Sequence, residues 1–296
     1  LATPRTPVDP EWLPFDHPLW VVYSSGTTGL PKPIVHGHGG VMLEALKLGV
    51  LHNNLGSAVG DGERFHWYSS TGWIMWNCQV NGLLGGSTVC LFDGAPSGPS
   101  RAPDWSTLWR FAALARATFF GAGSAFYASC LKAGVKPQQV ADISRLRAVG
   151  ATGSPLAEDA WRWLWDEMPR PGGQPMWLTV ISGGTDFAGA FIGGLPTLPM
   201  TAGQMQCRCL GAAVEAWNEA GQPLVDEVGE LVCTKPMPSM PLYLWNDPQG
   251  TRLHDSYFDM FPGIWRHGDW LRLTPDGGAI IYGRSDATIK IGRAHV

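Results

Sequence analysis

The feature that most restricts the fold is a repeated junction: a short apolar run ends at glycine or hydroxyl residues, and in most cases a helical run follows. Trp20–Tyr23 gives way to Ser24-Ser25-Gly26, Ala117–Phe120 to Gly121-Ala122-Gly123, Leu146–Val149 to Gly150-Ala151-Thr152-Gly153, and Leu178–Ile181 to Ser182-Gly183-Gly184. The apolar runs are strand-sized. The stretches beside them read as helices: Val41–Leu51 with apolar positions at 42, 43, 46 and 50, then Trp105–Arg116, Ser124–Lys132, and a helix after Pro155. That last helix carries Glu158 and Asp159 in its first turn, where acidic side chains suit the helix dipole. Strands alternating with helices predict an α/β fold with a largely parallel sheet, and the first junction reads as one strand–loop–helix unit. From about Gly229 the texture changes to short strands and turns, ending in a β-hairpin centred on Pro275-Asp276-Gly277-Gly278. The opening prolines, from Pro4 to Pro18, read as an extended connector.

A parallel sheet buried on both faces needs apolar mass, and 296 residues at 45% hydrophobic composition supply it. The net charge of −4 offers no basic footprint for nucleic acid. No apolar run approaches the roughly 18 residues of a membrane span. The expectation is a cytoplasmic protein with small-molecule partners and neither nucleic acid nor membrane among them; the oligomeric state is not legible. Six cysteines stand in apolar surroundings and read as reduced core thiols, and Cys207-Arg208-Cys209 is too tightly spaced for a zinc half-site. The chain opens on Leu1, with its first methionine at Met42, and is read as truncated at its start. Its last six residues, 291–296, are what ATCGGAAGAGCACACGTC encodes, part of a common sequencing adapter, and are read as adapter sequence.

The segment Tyr23–Gly40, YSSGTTGLPKPIVHGHGG, concentrates small and hydroxylated residues around one lysine. Gly26 and Gly29 permit close backbone approach, Ser24, Ser25, Thr27 and Thr28 supply hydroxyl donors, and Lys32 adds a cation, a suitable wrapping for a polyphosphate. It lacks the Walker A spacing, since proline follows Lys32. Composition alone leaves a phosphate site and a plain turn both open.

The order Ser-Ser-Gly-Thr-Thr-Gly-Leu-Pro-Lys is more specific. It resembles the phosphate-binding signature of the adenylate-forming superfamily, which includes acyl-CoA synthetases, adenylation domains and luciferases. Further motifs follow in that superfamily's order: Trp67–Trp73, Gly150–Pro155, Gly183–Asp186, His267–Asp269 and Gly283–Asp286. The likeness covers residues 19–290 and, in Ile34–Gly40, Ile181–Asp186, Pro236–Pro241 and Gly283–Ile289, is greatest to the acetoacetate-activating branch. It implies part of the large N-terminal domain of such an enzyme: an α/β part over 1–228, a β-rich end over 229–282, and a hinge over 283–290 to a further C-terminal domain bearing the adenylation lysine and much of the CoA surface.

The resemblance also implies a two-step ligase. A carboxylate attacks the α-phosphorus of ATP, and coenzyme A then displaces AMP. By position, Ser24, Ser25, Thr27, Thr28 and Lys32 would hold the β- and γ-phosphates, with Gly26 and Gly29 in the loop backbone. Gly184 would adjoin the nucleotide, Thr185 would contact the α-phosphate, and Asp186 would ligate Mg2+, a hard cation suited to carboxylate oxygen. Many members have Glu at the position of Asp186. Lys32, Thr185 and Asp186 are thus the catalytic candidates. Gly153, Ser154 and Pro155 would line the adenine, Asp269 would accept from the ribose hydroxyls, Arg284 would reach ribose or phosphate, and Asp286 would mark the hinge.

For the acid, acetate-activating relatives carry a tryptophan where this chain has Gly183, so the missing indole is expected to open room for acetoacetate, with Trp73 as pocket wall or as core. Other short acids (acetate, propionate, butyrate) and a nucleotide-binding fragment without turnover are the alternative readings. The isolated chain is expected to be poorly soluble and nearly inactive. His36 and His38 would polarise the keto group, contact a phosphate, or serve packing alone, with no metal site implied.

Overall fold

The computed structural model describes residues 9–24, 31–56 and 62–286. The first junction is a hairpin: β1 (Pro18–Ser24) pairs antiparallel with β2 (Lys32–Gly37), with Ser24 opposite Lys32. This corrects the strand–loop–helix reading. Pro31 and Pro33 made the second strand look like loop, but Pro33 lies within it, opposite Tyr23, and its carbonyl accepts from Trp245 N at 2.8 Å. Helix α1 (His38–Leu46) follows and widens into a π-helical turn, Lys47–His52. Its buried face is Gly40, Val41, Glu44 and Leu48, whereas Met42, Leu43, Leu46 and Val50, which gave the helical spacing, are exposed.

The parallel sheet comes next, as expected. Its strands are β3 (Arg64–Trp67), followed by α2 (Ile74–Asn81); β4 (Thr88–Val89), followed by α3 (Thr107–Leu114); β5 (Phe119–Gly123), running into α4 (Ser124–Lys132) and the single turn α5 (Pro137–Val140); β6 (Ala148–Thr152), followed by α6 (Glu158–Glu167); and β7 (Trp177–Val180). The order is β4-β3-β5-β6-β7, all neighbours parallel. Strands this short and apolar are buried on both faces: Phe120 and Val149 pack with Trp109, Tyr127 and Leu164 on one side, and Phe119 and Ala148 with Trp67 and Met75 on the other.

Past β7 the chain turns antiparallel. β8 (Ser182–Gly184), β9 (Gly189–Gly193) and β10 (Cys207–Arg208) form one small sheet. A five-stranded antiparallel sheet begins at β11 (Val214–Trp217) and β12 (Pro223–Leu224), ahead of Gly229, and continues with β13 (Val228–Cys233). β14 (Tyr243–Leu244) returns to pair with β2, and α7 (Thr251–Tyr257) leads into β15 (Trp265–Leu273) and β16 (Ala279–Arg284), the hairpin anticipated at Pro275–Gly278. The six cysteines are free thiols. Among the described residues no helix is long and apolar enough to cross a membrane.

Candidate functional site

Glycine-rich segments at the carboxyl ends of β6 and β7 face β1 and the β15–β16 hairpin across a cavity of about 810 Å³, the end of a parallel sheet where ligands bind. Each wall is braced. Gly153 sits at φ +88°, a conformation that favours glycine, with the Trp73 indole 3.4 Å from where a β-carbon would stand. Ser124 Oγ donates to the Ser154 carbonyl at 2.7 Å, and Thr152 Oγ1 donates to the Ile181 carbonyl at 2.7 Å. These bonds fix Gly153, Ser154 and Pro155 as a backbone surface on the cavity. Trp73 is half-buried and lines the cavity while also packing against the second core cluster.

Opposite this surface, Asp186 collects side chains from distant parts of the chain. Its Oδ1 accepts from Ser24 Oγ at 3.0 Å, from Lys32 Nζ at 2.8 Å, and from the Tyr257 hydroxyl. Burial pushes the Asp186 carboxyl up, but the Lys32 ammonium and the hydrogen bonds from Lys32 and Tyr257 outweigh it and hold the group down to about 2. The carboxylate is therefore ionised at neutral pH. Lys32 Nζ also lies 4.3 Å from the centroid of the Tyr257 ring, whose other face stacks on Trp265 at 3.8 Å. Burial, then the charge of Asp186, raises the Tyr257 phenol, so it stays a donor.

His36 supports this carboxylate from behind. Trp20 Nε1–H donates to His36 Nδ1 at 3.1 Å, which leaves the imidazole proton on Nε2, 3.1 Å from the Asp186 carbonyl it donates to. Burial lowers this imidazole to about 4, so it is neutral. Both ring nitrogens are spent on the protein, which is the packing alternative among those open for His36. His38 is half-buried beside His17, ring centroids 5.6 Å apart.

On β15, Asp269 is buried at the cavity, with His267 Nε2 at 3.7 Å and Arg284 Nη1 at 3.6 Å. Neither is within hydrogen-bonding distance. Burial pushes the Asp269 carboxyl up and the His267 imidazole down. Arg284 lines the cavity but donates through Nε to Asp286 Oδ1 at 2.9 Å, a local ion pair at the hairpin end. Gly184 and Thr185 also line the cavity.

Gly183 departs from expectation. A β-carbon there would stand 2.0 Å from the Gly189 carbonyl oxygen and 2.7 Å from Ala190 Cα. The space a side chain would take is filled by the neighbouring strand, so the absent side chain does not itself enlarge the cavity; Gly183 faces it with backbone only. Ser25, Gly26, Thr27, Thr28 and Gly29 lie outside the described residues. Tyr257, Trp20 and Trp265 are the site residues that sequence reasoning missed, because no spacing or motif sets them apart from core aromatics.

The comparisons agree with this geometry. The model of the family described as AMP-binding enzyme matches residues 2–244. The chain belongs to the AMP-binding enzyme family. It is 43% identical over 286 residues to the acetoacetyl-coenzyme A synthetase of Rhizobium meliloti (strain 1021), covering 97% of this chain and 42% of that protein. It is 40% identical over 281 residues to the acetoacetyl-CoA synthetase of Gallus gallus, covering 95% and 40%. Among solved structures, the acetoacetyl-CoA synthetase from Streptomyces lividans superposes with a TM-score of 0.87 at 52% identity, over 96% of this chain and 43% of the other. The anthranilate CoA ligase AuaEII, solved with anthranoyl-AMP, shares the fold alone, with a TM-score of 0.75 at 21% identity, over 94% and 49%. This AMP-binding chain thus spans about two fifths of the length of the curated relatives it matches.

Proposed function

We propose that this AMP-binding chain holds the nucleotide-handling part of an acetoacetate–CoA ligase, a cytoplasmic enzyme that converts acetoacetate, ATP and coenzyme A to acetoacetyl-CoA, AMP and pyrophosphate. The observation that carries the reading is the convergence of Ser24, Lys32 and Asp186 at one end of a cavity whose other parts are the Gly153–Pro155 backbone and Asp269. The names of the relatives support the choice of acid.

The first half-reaction brings a carboxylate to the α-phosphorus of a polyanion, so the protein's contribution is alignment and charge neutralisation. Lys32, released from Asp186, would meet the β- and γ-phosphates together with Ser24 and the hydroxyls of the adjoining loop. Thr185 would contact the α-phosphate. Asp269 has both oxygens clear of hydrogen-bonded partners among the described residues and would accept from the two ribose hydroxyls. Gly153, Ser154 and Pro155 would lie against the adenine, and Arg284 would turn from Asp286 toward ribose or phosphate. Trp73 would wall the acid.

Mg2+ fits one atom in particular. Asp186 Oδ1 is taken by three donors, whereas Oδ2 has no hydrogen-bonded partner among the described residues and belongs to an ionised carboxylate. No group of three or more His, Cys, Asp or Glu placed to hold a metal ion occurs among the described residues, so a cation here would draw most of its ligands from phosphates and water, as Mg2+ commonly does. Bound there, it would supply charge neutralisation for the phosphates.

The test is acid-dependent AMP formation by the complete protein carrying this chain. Acetoacetate is expected to give the highest kcat/KM among acetoacetate, acetate, propionate and butyrate. A far higher kcat/KM with acetate or propionate would reject the substrate assignment. Absence of MgATP binding by the chain would reject the nucleotide site itself.

A further inference from the structure

Lys32 has two claims on it. Its ammonium is bonded to Asp186 Oδ1 at 2.8 Å, and to serve a polyphosphate it must leave that oxygen. A buried carboxylate stripped of its cation is costly unless other donors remain. Two do remain: Ser24 Oγ, 3.0 Å away, and the Tyr257 hydroxyl. Tyr257 also holds the ammonium from a second side: while Nζ is bonded to Asp186, the ring face lies 4.3 Å from it, held rigid by the stack on Trp265 at 3.8 Å and 10°. The ring is buried, at 2% exposure, so its position is set by packing rather than by solvent.

We infer that Tyr257 is a positioning residue for Lys32: its hydroxyl keeps Asp186 Oδ1 bonded when the ammonium departs, and its ring face guides the ammonium between carboxylate and nucleotide. The inference rests on the nucleotide-binding reading above. Without the hydroxyl, Oδ1 has one donor fewer and holds Lys32 more tightly, so transfer of Lys32 to a nucleotide becomes less favourable. The effect belongs to Lys32 and vanishes where there is no ammonium to release. A residue that merely packed α7 against β15 would weaken binding equally whether Lys32 were present or not.

The test is a double-mutant cycle read by calorimetric titration of MgATP into the complete protein carrying this chain. Tyr257→Phe, which retains the ring, is expected to weaken MgATP binding about tenfold, as befits one hydrogen bond to a charged group. In a Lys32→Met background the same substitution is expected to change binding less than twofold. An equal factor in both backgrounds, or no change in either, overturns the inference. A second measurement needs no change at Tyr257. With lysines carrying 13C-methyl groups, the Lys32 resonance, identified by its loss in Lys32→Met, is expected upfield under the ring current of Tyr257 and is expected to move downfield on adding MgATP. A resonance at the ordinary lysine position, unmoved by MgATP, overturns the inference even if Tyr257→Phe fails to fold. Should the unaltered protein not bind MgATP, the nucleotide reading fails instead, and an upfield Lys32 resonance still reports the seat on Tyr257.

Discussion

Asp186 is where residue chemistry decides most. Three donors converge on a single oxygen, an arrangement fitted to the reach of aspartate; a glutamate here would push the carboxylate one methylene into Lys32 and Tyr257. His36, neutral and spent on Trp20 and Asp186, belongs to the same support. It shares its acid sensitivity with His66, whose Nδ1 is 2.8 Å from the Cys90 carbonyl between the rings of Phe111 and Phe120. Burial lowers both imidazoles from 6.5 to about 4. Between those values the unfolded chain binds protons that the folded chain does not, so unfolding gains as pH falls, by up to about 1.4 kcal/mol per pH unit for each group. The contribution is fully present above pH 6.5 and is lost progressively down to about 4. The melting temperature is therefore expected to fall steadily from pH 7 to pH 4.5, and His66→Gln is expected to flatten that slope. A melting temperature independent of pH across this window would show that neither imidazole is held neutral by the fold.

The elements divide by what their sequence signals were. Helix α4 lies over Ser124–Lys132 as its pattern predicted, and the four runs taken for strands start within two residues of β1, β5, β6 and β7, because their apolar runs are short and continuous; β5 and β6 continue three residues further, through Gly121 and Gly150. The β2 strand was hidden by Pro31 before it and Pro33 within it, and β3 by a polar-looking Arg64-Phe65-His66-Trp67 in which His66 is buried against aromatics. Helix α1 was found from the wrong face, since the spacing of Met42, Leu43, Leu46 and Val50 is helical but exposed. Much of the site was legible because its loops carry ordered motifs; Tyr257 was not, because what makes it special is a neighbour 71 residues away. Gly183 shows the same limit. Its importance is its closeness to β9, and Gly183→Ala is expected to push β8 from β9 and destabilise the chain by roughly 1–3 kcal/mol, the cost of overpacking. Urea unfolding measures this, and a midpoint unchanged from the unaltered chain would mean the two strands part freely.

At the scale of the whole molecule the exposed face of α1 has a consequence. Met42, Leu43, Leu46, Val50 and Leu51 are exposed on α1 and its π-helical turn, both of which touch the 82–85 turn, where Leu83 and Leu84 are exposed, as is Val80 just before it. Leu83 alone is 60% exposed. Exposed apolar side chains gathered in this way are ordinarily covered by protein, and an isolated chain has only another copy of itself with which to cover them. The isolated chain is accordingly expected to self-associate with rising concentration, and sedimentation velocity is expected to show its mean mass climbing. Replacing two of these side chains, Leu46→Lys with Leu83→Lys, puts like charges on the face and should return the chain to a monomer. Both side chains are exposed, so the melting temperature should hardly move, which separates loss of association from loss of folding. A chain that stays monomeric without the substitutions, up to the limit of its solubility, would mean that this surface is tolerated in water as it stands.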